Sequence, residues 1–274
     1  MKKITVVTLA LFFVAVMLVT PGTAHAISAH KNFIFGADST QNIASQTGAK
    51  GKFTIVVPQT FSASGEDHNW HEEGRDSANK IHIVGYFVNT ASPSTPKFFA
   101  EIWSGSVRQF VYQGTAAVGT NGQVKDFGFH RSASSWSYYL DTSLQTQSTA
   151  STGTTINAGD LFALAEKICP NSPYCTKDQG GPMPSVTMPN AMQYTSSTVF
   201  SGASWTDISS AGAYYKYING DGTSSIDTQV AQDESCQPMS MKGKVQDATF
   251  ASNKMVVGNN VVTTCTAYNA NLWP

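Results

Sequence analysis

Hydrophobic and polar residues alternate over short stretches of this chain, and the stretches end at Gly, Ser, Asn or Pro. Lys52 to Val57 stops at Pro58, and Lys80 to Val88 stops at a turn running from Ser92 to Pro96. Lys97 to Ser104 and Val107 to Val118 read as a pair joined around Gly105, and Trp136 to Asp141 alternates again. Asp160 to Ile168 fits a strand or a short helix. Met255-Val256-Val257 and Val261 to Thr264 flank Gly258-Asn259-Asn260, the clearest hairpin signal in the chain. Successive side chains of a strand point to opposite faces, so each stretch buries one face and wets the other. No long stretch beyond the N-terminal segment carries a 3.6-residue apolar period. The fold class expected is all-β, a two-sheet antiparallel sandwich of the concanavalin-like jelly-roll kind.

The N-terminal segment has a different pattern. Lys2 and Lys3 precede an apolar run from Ile4 to Val19, and Thr23-Ala24-His25-Ala26 places small residues where a signal peptidase reads. The run is about 16 residues, short for a spanning helix, so a cleaved signal peptide over 1–26 is expected, with no membrane span after cleavage. Residues 27–274 then form a single secreted domain, with 217–274 as a C-terminal extension if the tail packs separately. Two segments read as long surface loops: Ser62 to Asn79, rich in charge and histidine, and Pro170 to Pro189, rich in proline.

Charge narrows the partners. The chain holds 17 basic and 18 acidic residues, without a Lys/Arg cluster to follow a phosphate backbone, so nucleic acid is not an expected partner. Four cysteines in an exported chain imply disulfides rather than a metal site, since none has C-x-x-C spacing. Three pairings are open. In one, Cys169 joins Cys175 across a proline-bent loop and Cys236 joins Cys265, the longer closure, worth about 3 kcal/mol.

Three constellations carry candidate chemistry. His68 and His71, with Glu72 beside them in the acidic run Glu66 to Glu73, would grip a divalent metal if the segment curls. The order H-x-x-H-E-E is not the H-E-x-x-H of a zincin, and a solvated acidic loop is the plainer reading. Trp103, Tyr112, Trp136 and Tyr138 are aromatics that would bind a ligand if they lined a concave sheet, against the plainer reading of core packing. Tyr138 and Tyr139 are adjacent, so in a strand one of them points out. Asn219-Gly220-Asp221-Gly222 reads as a turn rather than a calcium loop. No cofactor is required by any of this.

The order of segments resembles a family. Phe35-Gly36-Ala37-Asp38, then Gly51 to Pro58, then Trp103-Ser104-Gly105 leading to Tyr112-Gln113-Gly114-Thr115, and Ile156-Asn157-Ala158-Gly159-Asp160 are similar to successive motifs of the glutamic peptidases, the eqolisins. The resemblance implies a jelly roll of two curved antiparallel sheets. It also implies catalysis by a Gln and a Glu side by side, the Glu as base on a water and the Gln amide stabilising the oxyanion. Gln113 matches the family's Gln. The family's Glu falls near Asn190 to Tyr194, where this chain has none, and Glu101 and Glu166 are the displaced candidates.

Three functions follow as expectations. The leading one is a non-catalytic secreted module that binds an extracellular polymer, a polysaccharide before a polypeptide, through aromatics on a concave sheet. The enzyme alternative is an acid endopeptidase using Gln113 with Glu101 or Glu166. The third is a cell-envelope or filament subunit that pairs through strand edges.

Overall fold

The computed structural model describes residues 31–39, 41, 43, 45–59, 61, 65–105, 107–169, 186–208, 211–218, 224–225 and 255–257. Among them every regular element is a strand, in the order β1 (Lys31–Ser39), β2 (Gly48–Thr54), β3 (Asp67–Asp76), β4 (Ile81–Asn89), β5 (Lys97–Ser104), β6 (Val107–Ala117), β7 (Val124–Ser132), β8 (Ser135–Leu140), β9 (Ser143–Ser148), β10 (Ile156–Cys169), β11 (Val186–Met188), β12 (Asn190–Thr195), β13 (Thr206–Asp207), β14 (Ala211–Ile218), β15 (Ser224–Ser225) and β16 (Met255–Val257). An eight-stranded sheet runs β15-β14-β1-β10-β3-β4-β5-β6 and a six-stranded sheet runs β13-β12-β2-β7-β8-β9, while β11 and β16 pair alone. All described pairings are antiparallel. The expected two-sheet antiparallel sandwich is the fold observed.

Alternation places the core. On β7, Phe127 and Phe129 turn inward; on β8, Trp136 and Tyr138; on β4, Val84 and Tyr86, all fully buried. The rings form a continuous stack between the sheets: Trp70 on Tyr86 at 5.0 Å, Tyr86 against Phe127 at 5.7 Å, Phe127 on Phe53 at 5.5 Å. Each such side chain contributes roughly 1.5–3 kcal/mol by leaving water, which makes this seam the main fastening between the sheets.

One expectation meets a different outcome, one open choice is settled, and one lies partly outside the described residues. The segment Ser62 to Asn79 is not a long loop, because Asp67–Asp76 forms β3, a central strand paired with both β10 and β4. Asp160 to Ile168 is strand, part of β10. Met255–Val257 pairs with Val186–Met188, and the other half of the expected hairpin, 261–264, lies outside the described residues. So do the leader, residues 170–185 with Cys175, the turn at 219–222, and Cys236 and Cys265.

Candidate functional site

β3 is polar on both faces, and the two faces have separate fates. His68, Trp70, Glu72 and Asp76 turn toward the six-stranded sheet: Trp70 joins the aromatic stack, and a Cβ placed on Gly51 of β2 would lie 3.0 Å from Glu72 Oε2. Asn69, His71, Glu73 and Arg75 therefore turn away from the core, onto the outer face of the eight-stranded sheet.

Register lays that outer face out as a grid. Glu166 of β10 stands opposite Asn69, then Phe87 of β4 and Lys97 of β5. The next row is Leu164, His71, Gly85, Phe99 and Gln113, and the next is Phe162, Glu73, Ile83, Glu101 and Val111. The last is Arg75, Ile81, Trp103 and Arg108. Gly85 leaves a gap in the second row, across which the His71 and Phe99 rings meet edge to face at 5.9 Å. Glycine is required there, since an added Cβ would come within 2.0 Å of the Trp70 carbonyl oxygen.

Two polar groupings occupy the grid. In one, Asn69 Nδ2 donates to Glu166 Oε2 at 3.1 Å, and its Oδ1 accepts from His71 Nδ1 at 2.7 Å. His71 Nε2 then faces Glu73 Oε2 at 3.8 Å. Burial pushes the Glu166 carboxyl above its usual range, and Glu101 and Glu73 push the same way, against the pull of His71 and Asn69. In the other, Trp103 Nε1 donates to Glu101 Oε2 at 2.6 Å and Arg108 Nη1 to Glu101 Oε1 at 3.1 Å. The Arg108 guanidinium lies over the Trp103 ring at 5.7 Å, with its side chain 47% exposed.

Several expected site residues fall elsewhere. Of the four aromatics, only Trp103 reaches the outer face. Trp136 and Tyr138 are fully buried, and Tyr112 packs inward on Phe98. Their strands each bury the aromatic face to fill the space between sheets. Tyr139, the outward neighbour of Tyr138, stacks on Phe200 at 4.0 Å on the other sheet. His68, His71 and Glu72 do not converge on a metal, because neighbouring strand positions point opposite ways. His68 is closed off inside by Gln59 and Glu66 at 2.7 Å each, while His71 faces out. Among the described residues no group of three or more His, Cys, Asp or Glu is placed to hold a metal ion.

Nor does Gln113 meet a Glu as the peptidase alternative needs. Gln113 on β6 lies four strands from Glu166 on β10, roughly 19 Å at ordinary strand spacing. Glu101 is nearer, but Trp103 and Arg108 hold its two oxygens toward the opposite end of β5. Asn69, Glu73 and Arg108 were not singled out from sequence. For Asn69 and Glu73 the one signal is alternation within β3, which carries no apolar face to reveal it; Arg108 is an exposed residue of β6 whose partners come from the β5–β6 register.

No protein-family profile and no curated protein matches the chain. Among solved structures, it is similar to scytalido-glutamic peptidase with a peptide-based transition-state analogue, at 10% identity over 84% of this chain and 98% of that one, with a TM-score of 0.48. It is also similar to congerin II liganded with lactose and MES, at 11% identity over 49% of this chain and 96% of that one, TM-score 0.33. A Caenorhabditis elegans galectin, LEC-6, is similar at 10% identity over 50% and 95% of the two chains, TM-score 0.28.

Proposed function

We propose that this protein is a secreted module that binds an extracellular polysaccharide on the outer face of its eight-stranded sheet. The observation that carries the reading is the grouping of Trp103, Glu101 and Arg108 on β5 and β6. An indole offers the apolar plane that the C–H face of a sugar ring covers, and a carboxylate and a guanidinium beside it are matched to ring hydroxyls. Glu101 holds both partners before any ligand arrives, so little rotamer freedom remains to be lost on binding. Gln113, exposed on the same strand, extends the hydrogen-bonding surface. Secretion rests on the leader pattern at residues 1–26 and on the even number of cysteines.

Affinity electrophoresis through gels containing single soluble polysaccharides tests this. Retardation by at least one polymer, lost in Trp103→Ala and Arg108→Ala, is expected; equal mobility in every gel would refute the reading. A second reading, self-pairing into a cell-envelope or filament subunit, draws on the edge strand β6, where Val107 and Val111 are 57% and 45% exposed. It requires assembly at high protein concentration, which sedimentation would detect.

A further inference from the structure

β10 breaks register with β3 once. Ile156 pairs with Asp76 and Leu161 with Gly74, so four residues, Asn157 to Asp160, stand opposite Arg75 alone. A bulge of this kind lifts backbone out of the sheet and re-aims the side chains beside it. Asn157 Oδ1 accepts the Gly159 amide at 2.9 Å and so shapes the bulge. Beside it lies an open cleft of about 230 Å³, lined by Ser45, Arg75, Ser77, Thr155, Asn157 and Asp160, with the buried Asp76 in its wall. Leu161 is fully buried in the core, so its neighbour Asp160 turns to the outer face of the sheet, where Arg75 also lies. The two share the cleft without forming an ion pair. Arg75 Nη1 donates to Asn79 Oδ1 at 2.8 Å, and among the described residues Asp160 has no hydrogen-bond or ion-pair partner. A carboxylate and a guanidinium with bonding capacity left over thus face the same space.

Register ties this cleft to the Trp103 grouping. Arg75, Ile81 and Trp103 form one row across β3, β4 and β5, so Arg75 lies two strand spacings from the indole, roughly 10 Å. Ile81 between them is half-buried and apolar. A chain laid across the strands over the Trp103 ring therefore runs toward the cleft.

We propose that the Arg75–Asp160 cleft is a second subsite, which takes one neutral sugar unit of the polysaccharide whose neighbouring units cover Trp103. The proposal rests on the polysaccharide reading and adds the direction of the bound chain, across the strands rather than along them. Adjacent ring hydroxyls donate to the Asp160 carboxylate and accept from the Arg75 guanidinium. Ser77 Oγ accepts the Thr154 amide and keeps its own proton to donate. The cleft is smaller than the roughly 300–1,000 Å³ of sites for drug-sized ligands, which suits a single ring rather than a longer segment. Asp160 and Asp76 set two carboxylates against one guanidinium, which favours a neutral unit over a uronate.

The experiment measures affinity by isothermal titration for soluble β-glucan, xylan or mannan, whichever retards the wild-type protein in gels, and for its oligosaccharides of increasing length. Polygalacturonate is the acidic comparison. Wild-type affinity is expected to rise with length and to level off once a chain spans both subsites. Arg75→Ala and Asp160→Asn are each expected to weaken binding of the long oligosaccharides by about tenfold or more, and to leave the shortest ligand that Trp103 holds unchanged. Asp160→Asn keeps the side chain's shape, so its loss reports the carboxylate rather than folding. Full long-chain affinity in both variants, or equal losses for short and long ligands, would overturn the second subsite and leave the Trp103 reading standing. Arg75-dependent binding of polygalacturonate as tight as that of the neutral polymer would overturn the choice of a neutral sugar. Absence of retardation by any polymer would instead overturn the polysaccharide reading, and this inference with it.

Discussion

His82 and His71 lie on neighbouring strands of one sheet, each beside an acidic residue, and they do opposite jobs. His82 is fully buried between the sheets, its Nε2 on Asp76 Oδ2 at 2.9 Å and its Nδ1 on the Tyr138 hydroxyl at 2.8 Å. Asp76 also accepts from the Ser151 hydroxyl and from the amides of Ala78 and Lys80, which close the β3–β4 turn. Burial alone would raise the Asp76 carboxyl, but His82, Ser151 and the Lys80 amide outweigh it and hold it below the usual range. Burial lowers His82, so the pair is a neutral imidazole on a carboxylate. Every member is satisfied within the protein, and the knot ties β3, β4 and β8 together. His71, also buried, belongs to a line on the other face of the sheet that runs from Glu166 through Asn69 to Glu73, whose side chain is 19% exposed. The network between the sheets is satisfied on every side, whereas the outer line ends at a carboxylate that meets solvent.

The largest effect that tests this contrast comes from the closed network. Asp76→Ala strands a buried imidazole and tyrosine hydroxyl and is expected to cost about 3–5 kcal/mol in denaturant titration. Asn69→Ala, in the line that ends at solvent, is expected to cost about 1 kcal/mol. Equal losses would erase the distinction.

Next in size is Glu72, buried between the sheets with no hydrogen-bond partner for either oxygen among the described residues. Burial pushes its carboxyl well above the usual range, and Glu73 adds to this. The folded state therefore keeps a proton that the unfolded chain loses above about pH 4.5, and stability falls as pH rises from there toward the folded-state value. Glu166 contributes in the same direction, as does Asp67, which burial raises to about 6. Asp76 acts oppositely, its contribution being lost in acid as pH falls through its lowered value. Glu72→Leu is expected to stabilise the protein at pH 7 by about 1–3 kcal/mol and to flatten the decline in Tm between pH 4.5 and 7.5. A variant less stable than wild type at pH 7 would show that Glu72 has a partner worth more than its burial costs.

The smallest expected effect is at the surface. Lys125 and Asp141 pair at 2.8 Å with side chains 25% and 46% exposed, and Lys125→Ala is expected to change stability by about 0.2–1 kcal/mol, less in high salt. A larger, salt-insensitive loss would mean that exposed pairs also fasten this sandwich.

The strands legible in the sequence are those with one apolar face. Lys97 to Ser104 coincides with β5, Lys80 to Val88 is offset from β4 by one residue at each end, and Val107 to Val118 is one residue longer than β6. Their inward residues, such as Val84, Tyr86, Phe98 and Ile102, stand out by hydrophobicity alone. β3 has the sequence of a loop because its inward face includes His68, Glu72 and Asp76 as well as Trp70. Period-two alternation between two polar faces leaves no contrast in hydropathy. The same blindness hid the candidate site. Asn69 and Glu166 are 97 residues apart and become neighbours only through the β3–β10 register. The aromatics failed for a related reason: nothing in the sequence tells whether an alternating strand turns its aromatic face in or out, and core volume decided it for Trp136 and Tyr138.

Isothermal titration of wild-type protein and Trp103→Ala with a polysaccharide that retards the wild type tests the central claim most directly. Affinity lower by about tenfold or more in the variant, with unfolding free energy within about 0.5 kcal/mol of wild type, is the predicted result. Undiminished affinity in a folded Trp103→Ala protein would contradict it and move the ligand off this face of the sheet.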